Sequence, residues 1–350
     1  MRSNNRERVR KNIRASFLIF YCIYSTVKKA IGVAFGFIGT VIGAGFASGK
    51  EILLYFSGAN VFTPLLAGIV LGLLAFLFCE MGRTDGGIYS YFGKGKKALL
   101  VIIKTANVLV FCTTTAACEE VVFSLFGFHG GAVLTVLLTL LTLFVSKKGM
   151  GVVSFLCVVG ILVMLFIVFF KTDIACPQGR FSPLSSLTYA GMNMLTGGFF
   201  IAASVRDFSR KQSVITALLS GTVLSILLTV VFLLCFDKGN ELFPMISAAE
   251  QVGLGTVGLV VLYISMYTTC NGTCFVAADN DIEKALLVAT LSLGISCFGF
   301  EKLIGAFYPI IGAVGCGVIA LCAALYSIKK SLRRNDLDVL ITDHADKRVL

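Results

Sequence analysis

The sequence predicts an all-α polytopic membrane protein, with ten transmembrane helices in a five-plus-five inverted repeat whose helices 1 and 6 are broken. Three observations lead there. Of 350 residues, 57% are hydrophobic and only 14% charged, whereas a soluble domain has about 25% charged residues. Apolar runs of about 20 residues recur along the chain, long enough to cross a bilayer as helices. They are too continuous for the alternating pattern of a barrel, the other closed form that satisfies backbone groups in lipid. The first and sixth runs are also studded with glycines and polar residues.

In chain order the spans are expected at about 31–56, 62–81, 97–118, 131–146, 151–170, 187–205, 213–235, 253–277, 284–299 and 303–328. Residues 1–29 are a basic N-terminal extension whose apolar part, Ala15 to Val27, is too short to span easily. It reads as cytoplasmic or interfacial, without a clear small-x-small cleavage site. Residues 30–328 form the transporter domain, and 329–350 a polar cytoplasmic tail. With an even number of spans and both termini inside, 24 of the 30 Lys and Arg residues fall on cytoplasmic segments, as the positive-inside rule requires. The net charge of +11 is thereby assigned to cytoplasmic loops, and nucleic acid is not expected as a partner.

The first span contains "GFIGTVIGAGFASGKEILLYF", Gly36 to Phe56. Six glycines between Gly32 and Gly49 each lower helix propensity by about 1 kcal/mol relative to Ala. Close packing of small-xxx-small pairs accounts for Gly32 and Gly36. It accounts less well for Ser48, Lys50 and Glu51, because a charge at mid-membrane costs at least about 2.5 kcal/mol. Lys50 and Glu51 are expected past a break, lining a water-filled path. The corresponding span of the second half, "SLTYAGMNMLTGGFFIAASV", carries Tyr189, Gly191, Asn193, Thr196, Gly197 and Gly198 and has the opposite orientation. Paired interrupted helices of this kind mark an inverted-repeat transporter, with exposed backbone groups at mid-depth.

Most of the twelve cysteines lie in apolar runs as small hydrophobes. Cys270 and Cys274 read as packing residues, and with His129 and His344 far apart, histidine catalysis and metal chemistry are not expected. Glu119 and Glu120 end the third span; solvated span-end carboxylates and a proton-linked or gating role both fit them. Glu80 and Arg83 suit a surface ion pair. Lys104 suits snorkelling to the inner interface, and Pro309 a kink. "GRTDGGIYSYFGKGK" fits either an interfacial helix or a plain loop, and "GNELFPMISAAEQVG" a re-entrant outer cap or an ordinary connector.

"GTVIGAGFASGKEI" resembles the signature of the YkvI-type membrane proteins, which are placed among amino-acid permeases of the APC superfamily with a LeuT-like fold. "ACEEVVFSLFG", "ELFPMISAAEQVG", "MYTTCNG" and "FGFEKLIGAFYPIIGAVG" extend the resemblance over about residues 29–328. The resemblance implies a substrate site between spans 1 and 6, formed by Gly43, Ala44, Gly45 and Phe46 with Tyr189, Asn193, Thr196 and Gly197. It also implies a sodium site built from the carbonyls of Gly39 and Ile42 and the side chains of Thr268 and Thr269. Some proton-coupled relatives carry a lysine in span 5; this chain has none there, which favours sodium. No other cofactor is expected.

The function expected from these features is a cation-coupled symporter of a small zwitterionic solute, an amino acid, working by alternating access in the plasma membrane. The sequence leaves substrate identity, coupling ion and oligomeric state open. A transporter-fold receptor or accessory subunit that binds a ligand without net transport is the alternative. The short polar tail offers it no signalling domain. An enzyme is not expected, for want of a catalytic constellation inside the spans.

Overall fold

A computed structural model describes residues 27–145, 147–172, 174, 177–279 and 281–346. The expected N-terminal extension lies outside the described residues except for 27–29, which open the first helix. Helix α1 covers 27–41 and is followed by two short helices, α2 (Ala44–Ser48) and α3 (Lys50–Phe56). Then come α4 (Phe62–Gly82), α5 (Lys96–Phe126), α6 (Gly131–Val145), α7 (Lys147–Lys171) and α8 (Pro183–Asn193). A π turn, Met194–Gly198, joins α8 to α9 (Phe199–Ser204). The remainder is α10 (Arg210–Cys235), α11 (Pro244–Glu250), α12 (Gly255–Ala278), α13 (Ile282–Ser296) and α14 (Phe300–Asp346).

The chain is a multi-pass membrane protein. Among the described residues five helices are long and apolar enough to cross a bilayer, namely Phe62–Gly82, Gly93–Phe126, Arg210–Cys235, Gly255–Ala278 and Phe300–Leu332. Two shorter apolar helices, Gly131–Leu143 and Cys157–Lys171, accompany them. Among the described residues each expected apolar run is mostly helical. Helix α14 continues to Asp346, through the junction expected at 328, with Pro309 inside it.

The corresponding members of the two halves touch each other. Helix α3 packs on α8, α4 on α10, α5 on α12 and α6 on α13, which pairs spans 1–6, 2–7, 3–8 and 4–9. Small residues allow the close approach that lipid-embedded helices depend on. A Cβ on Gly72 would lie 2.7 Å from the Cα of Gly221, and one on Gly68 would lie 2.3 Å from the backbone of Ser225. Polar side chains stitch this interface and its neighbours: Ser225 Oγ donates to Leu65 O at 3.2 Å between α10 and α4, Thr216 Oγ1 to Ala30 O at 3.1 Å between α10 and α1, and Ser186 Oγ to Thr63 O at 2.7 Å between α8 and α4. Such bonds average about 0.6 kcal/mol each in membranes.

The loops fall into two sets. Segments 57–61 and 177–182, both expected outside, meet through Asn60 N to Arg180 O (3.2 Å) and Arg180 N to Gly58 O (3.0 Å). Helix α11 opens with Pro244 at its first turn and packs on α2, α10 and α12, so the "MISAAEQV" segment is a cap drawn into the bundle. The segment after α4 forms two short 3₁₀ turns, Ile88–Tyr91 and Gly93–Gly95. Tyr89 stacks on Phe199 of α9 with centroids 6.1 Å apart, and the Lys329 ammonium of α14 sits 4.2 Å above the Tyr91 ring.

Candidate functional site

The first span breaks twice. Helix α1 ends when the Gly43 N–H turns to Val41 O at 2.8 Å and the Ala44 N–H turns to Thr269 Oγ1 at 3.2 Å. In a continuous helix those two N–H groups would bond the carbonyls of Gly39 and Thr40. The ladder is therefore released at Gly39 and Thr40, in an otherwise buried stretch of the span. Extended backbone at Gly43 (φ −92°, ψ −169°) carries the chain across. Helix α2 then runs for five residues to the second break, Gly49, at φ +78°. Only glycine suits that site. Its conformation is left-handed, and a Cβ would lie 2.7 Å from Cys235 Sγ and 3.1 Å from Met245 N. Ser48 bridges this break: its Oγ donates to Gly45 O at 2.8 Å and accepts from Lys50 N at 3.2 Å.

The sixth span stays wound. Where the sixth helix was expected to be broken, the backbone runs from α8 through the π turn Met194–Gly198 into α9. This milder departure is the form a single extra residue takes in an α-helix, and such turns cluster at functional sites. The turn meets the first break directly: a Cβ on Gly197 would lie 2.3 Å from Thr40 Oγ1. Asn193 and Tyr189 are buried, and Asn193 Nδ2 donates back to Tyr189 O at 3.1 Å. Thr196 Oγ1 donates back to Met192 O at 3.1 Å. Phe46 is fully buried within the hydrophobic core.

The expected sodium-site residues come together in part. Thr269 of α12 reaches the first break by accepting from Ala44 N, while its hydroxyl proton goes to Ser265 O at 2.9 Å. Thr268 also donates to Ser265 O at 2.9 Å, one turn back along its own helix, as membrane threonines commonly do. A hydroxyl that has given its proton away still offers lone pairs to a cation. Ser265 Oγ, buried and without a hydrogen-bond partner, adds another oxygen on the same stretch of α12. These all-oxygen donors fit a hard monovalent ion. No group of three or more His, Cys, Asp or Glu side chains suited to a metal occurs among the described residues.

Two expectations for charged residues need correction. Lys50 and Glu51 do not share a water-filled path. Lys50 turns outward, pairing with Glu301 Oε1 of α14 at 2.7 Å and donating to Gly239 O (3.3 Å) and Glu241 O (3.0 Å). Glu51 turns inward and is only 4% exposed. Its carboxyl folds back over Gly45, where a Cβ would lie 2.1 Å from Oε2, and faces Tyr189 and Asn193. Glu119 does not end its helix, since α5 runs on to Phe126. Its carboxylate instead caps α6, accepting from Gly130 N at 2.9 Å and Ala132 N at 2.8 Å. An anion at a helix N-terminus is stabilised there by the unpaired N–H groups. Glu120 is half-buried beside it. Lys104 pairs with Asp279 at the end of α12, and Lys284 approaches the same carboxylate at 3.8 Å. Glu80 and Arg83 form the expected ion pair at 2.7 Å.

Glu51 is the residue that sequence reasoning left without a role at the site, and with it Tyr55 and Tyr308. Tyr55 Oη donates to Tyr308 O at 2.6 Å, joining α3 to α14 just before Pro309. An acidic residue next to a lysine after a glycine run was visible in the sequence; which of the two turns inward was not.

No protein-family model matches the chain. It is 24% identical over 358 residues to the "Uncharacterized membrane protein YkvI" of Bacillus subtilis (strain 168), an alignment spanning 88% of this chain and 98% of that protein. Among solved structures it is similar to the inward-facing conformation of Mhp1, with a TM-score of 0.57 and 11% identity over 84% of this chain and 74% of that one. It is also similar to Mhp1, a nucleobase-cation-symport-1 family transporter, in a closed conformation with bromovinylhydantoin bound (TM-score 0.50, 12% identity, 85% and 74% covered). The resemblance read from the glycine signature is thus borne out, and the fold is LeuT-like.

Proposed function

We propose that this protein is a cation-coupled secondary transporter of a small zwitterionic solute, an amino acid, working by alternating access in the plasma membrane with both termini in the cytoplasm. The observation that carries the reading is the first break. The Ala44 N–H freed by the break is taken up by Thr269 Oγ1 of α12, while Thr40 beside the break touches the π turn of the sixth span at Gly197. A broken helix facing an irregular turn of its repeat partner resembles the paired interrupted helices between which transporters of this architecture bind solute and ion. The solute would lie among Gly43, Ala44, Gly45, Tyr189, Asn193, Thr196 and Gly197. Phe46 would act from behind as packing. The ion, sodium in this reading, would be held by the Gly39 and Ile42 carbonyls with Thr269 and Thr268. One inward charge yields about 2.3 kcal/mol per 100 mV of membrane potential, roughly a 50-fold accumulation by the same relation of energy to concentration.

Uptake of a panel of labelled amino acids into proteoliposomes, with and without an imposed sodium gradient, tests the proposal. Gradient-dependent accumulation of at least one of them is the expected result. Tight binding with no flux under any gradient would replace it with a ligand-binding receptor of the same fold.

A further inference from the structure

The buried Glu51 is unexplained by a site made of carbonyls, hydroxyls and glycines. An ionisable side chain inside a membrane protein is rare, and it ordinarily faces a partner of opposite charge or a path for ions or protons. Among the described residues Glu51 has no partner of opposite charge. The cation beside it in sequence, Lys50, is held away by Glu301 and by two loop carbonyls. Glu51 Oε1 and the hydroxyl of Tyr189, the side chain it faces, are both buried, and neither meets a partner at full hydrogen-bond geometry although Tyr189 and Asn193 lie beside the carboxyl. Every element packed around it contributes neutral groups. Tyr55 comes from α3 itself, Tyr189 and Asn193 from α8, and Tyr308 from α14. Cys235 of α10 lies beside Gly49, α11 presents Met245 there, α12 presents Thr269 to α2, and α2 has no titratable residue. A bare carboxylate in such surroundings would be strongly disfavoured, because burying an unpaired charge costs far more than burying the neutral acid.

We infer that Glu51 is a proton-binding site, occupied in this arrangement, where the carboxyl is shut away from water, and emptied when the site opens to water. The step balances simply. With the site hydrated, a carboxylate oxygen takes a proton from hydronium, an O–H bond forms, and a water molecule is left behind. Closure seats the neutral acid against Gly45, Tyr189 and Asn193. Opening to the other face returns the proton to water and regenerates the carboxylate. The closeness of Oε2 to Gly45 ties this chemistry to the segment carrying the first break, so protonation and closure of that segment favour one another. The link to solute movement rests on the transporter reading above; the binding of the proton does not.

Infrared difference spectroscopy on the full chain in lipid nanodiscs, stepped through pH, reads the protonated carboxyl directly. The expected result is a carboxylic-acid C=O band that fades as pH rises, is lost in Glu51→Gln, and persists in Glu119→Gln. Absence of that band from the wild type, or its survival in Glu51→Gln, would overturn the assignment. Should Glu51→Gln fail to fold, Glu51→Asp decides: a displaced band supports the site and an undisplaced one removes it. A band assigned to Glu51 in a protein that moves no solute under any gradient would leave the proton site standing and take down the transporter reading.

Discussion

Replacing Thr269 by valine is the sharpest test of the ion site, because Thr269 and Thr268 differ in the structure in one respect. Both donate to Ser265 O, but Thr269 alone also accepts from Ala44 N, at 3.2 Å across the break. Valine keeps the branched shape and removes the oxygen. The Ala44 N–H, which has left its helical partner, would then have no acceptor, and a buried unsatisfied donor costs about 1–3 kcal/mol. If that hydroxyl also ligates sodium, its loss weakens binding by a comparable amount. At 1.4 kcal/mol per tenfold this is about 5- to 150-fold in the sodium dissociation constant. Sodium-dependent thermal stabilisation of the purified protein measures it without a known solute, because a ligand that binds only the folded state raises the melting temperature with its concentration. Thr269→Val should shift the sodium titration by that factor, whereas Thr268→Val should move it less. Equal shifts in the two variants would refute the asymmetry drawn from the break, and an unshifted titration in a folded Thr269→Val protein would remove the threonine from the ion site.

Three further outcomes are expected. Gly45→Ala should displace the Glu51 carboxyl, since its Cβ would fall 2.1 Å from Oε2; it should abolish uptake while the protein still reaches the membrane, and normal uptake would show that the carboxyl position does not matter. Lys50→Met removes the contacts to Glu301 and the 239–241 loop, so a cysteine placed at Gly239 should label faster from outside than in the parent, with an unchanged rate arguing against an outer latch. Glu119→Gln should lower thermal stability by about 0.5–2 kcal/mol, the usual worth of an N-terminal cap, with its gradient dependence unaltered; a lost proton dependence would instead restore Glu119 to the coupling machinery.

The helical spans were legible because a bilayer leaves the backbone so few options: long apolar runs become helices, and glycine placement picks out the first span as the irregular one. The contact of that span with Thr269 was also legible, through the resemblance of its flanking motifs. Harder to read was how each irregularity is resolved. Gly43 and Gly49 break the chain because Thr269 accepts from Ala44 and because Cys235 and Met245 leave no room for a side chain, both of which are tertiary facts. Gly197 and Gly198 look equally disruptive in sequence, yet there the chain keeps its helix by admitting one extra residue. Glu119 sits at a span end by hydropathy, where a solvated carboxylate and a proton-linked or gating role both fit it. Its role as a cap depends on Gly130 and Ala132 returning to it from the next helix, which no local pattern reports. Lys50 and Glu51 diverge because neighbouring residues of α3 lie about 100° apart round the helix, and which of them faces inward depends on how the left-handed turn at Gly49 sets α3 against the bundle.

The π turn at Met194–Gly198 has a consequence for anyone placing probes on this protein. An α-helix turns about 100° per residue, so one additional residue within a turn carries everything beyond it round by about that angle. A helical wheel drawn straight through 183–204 will therefore assign α9 to the wrong face. Phe200, which is 43% exposed, lies closer to the exposed stripe of Leu184 and Leu187 once the extra residue is taken out of the count. Crosslinks or spin-label pairs meant to report motion between α9 and α4 or the 3₁₀ segment should be chosen from the corrected wheel, because a pair drawn from the uncorrected one would report the angular offset of the turn as a displacement of the helix.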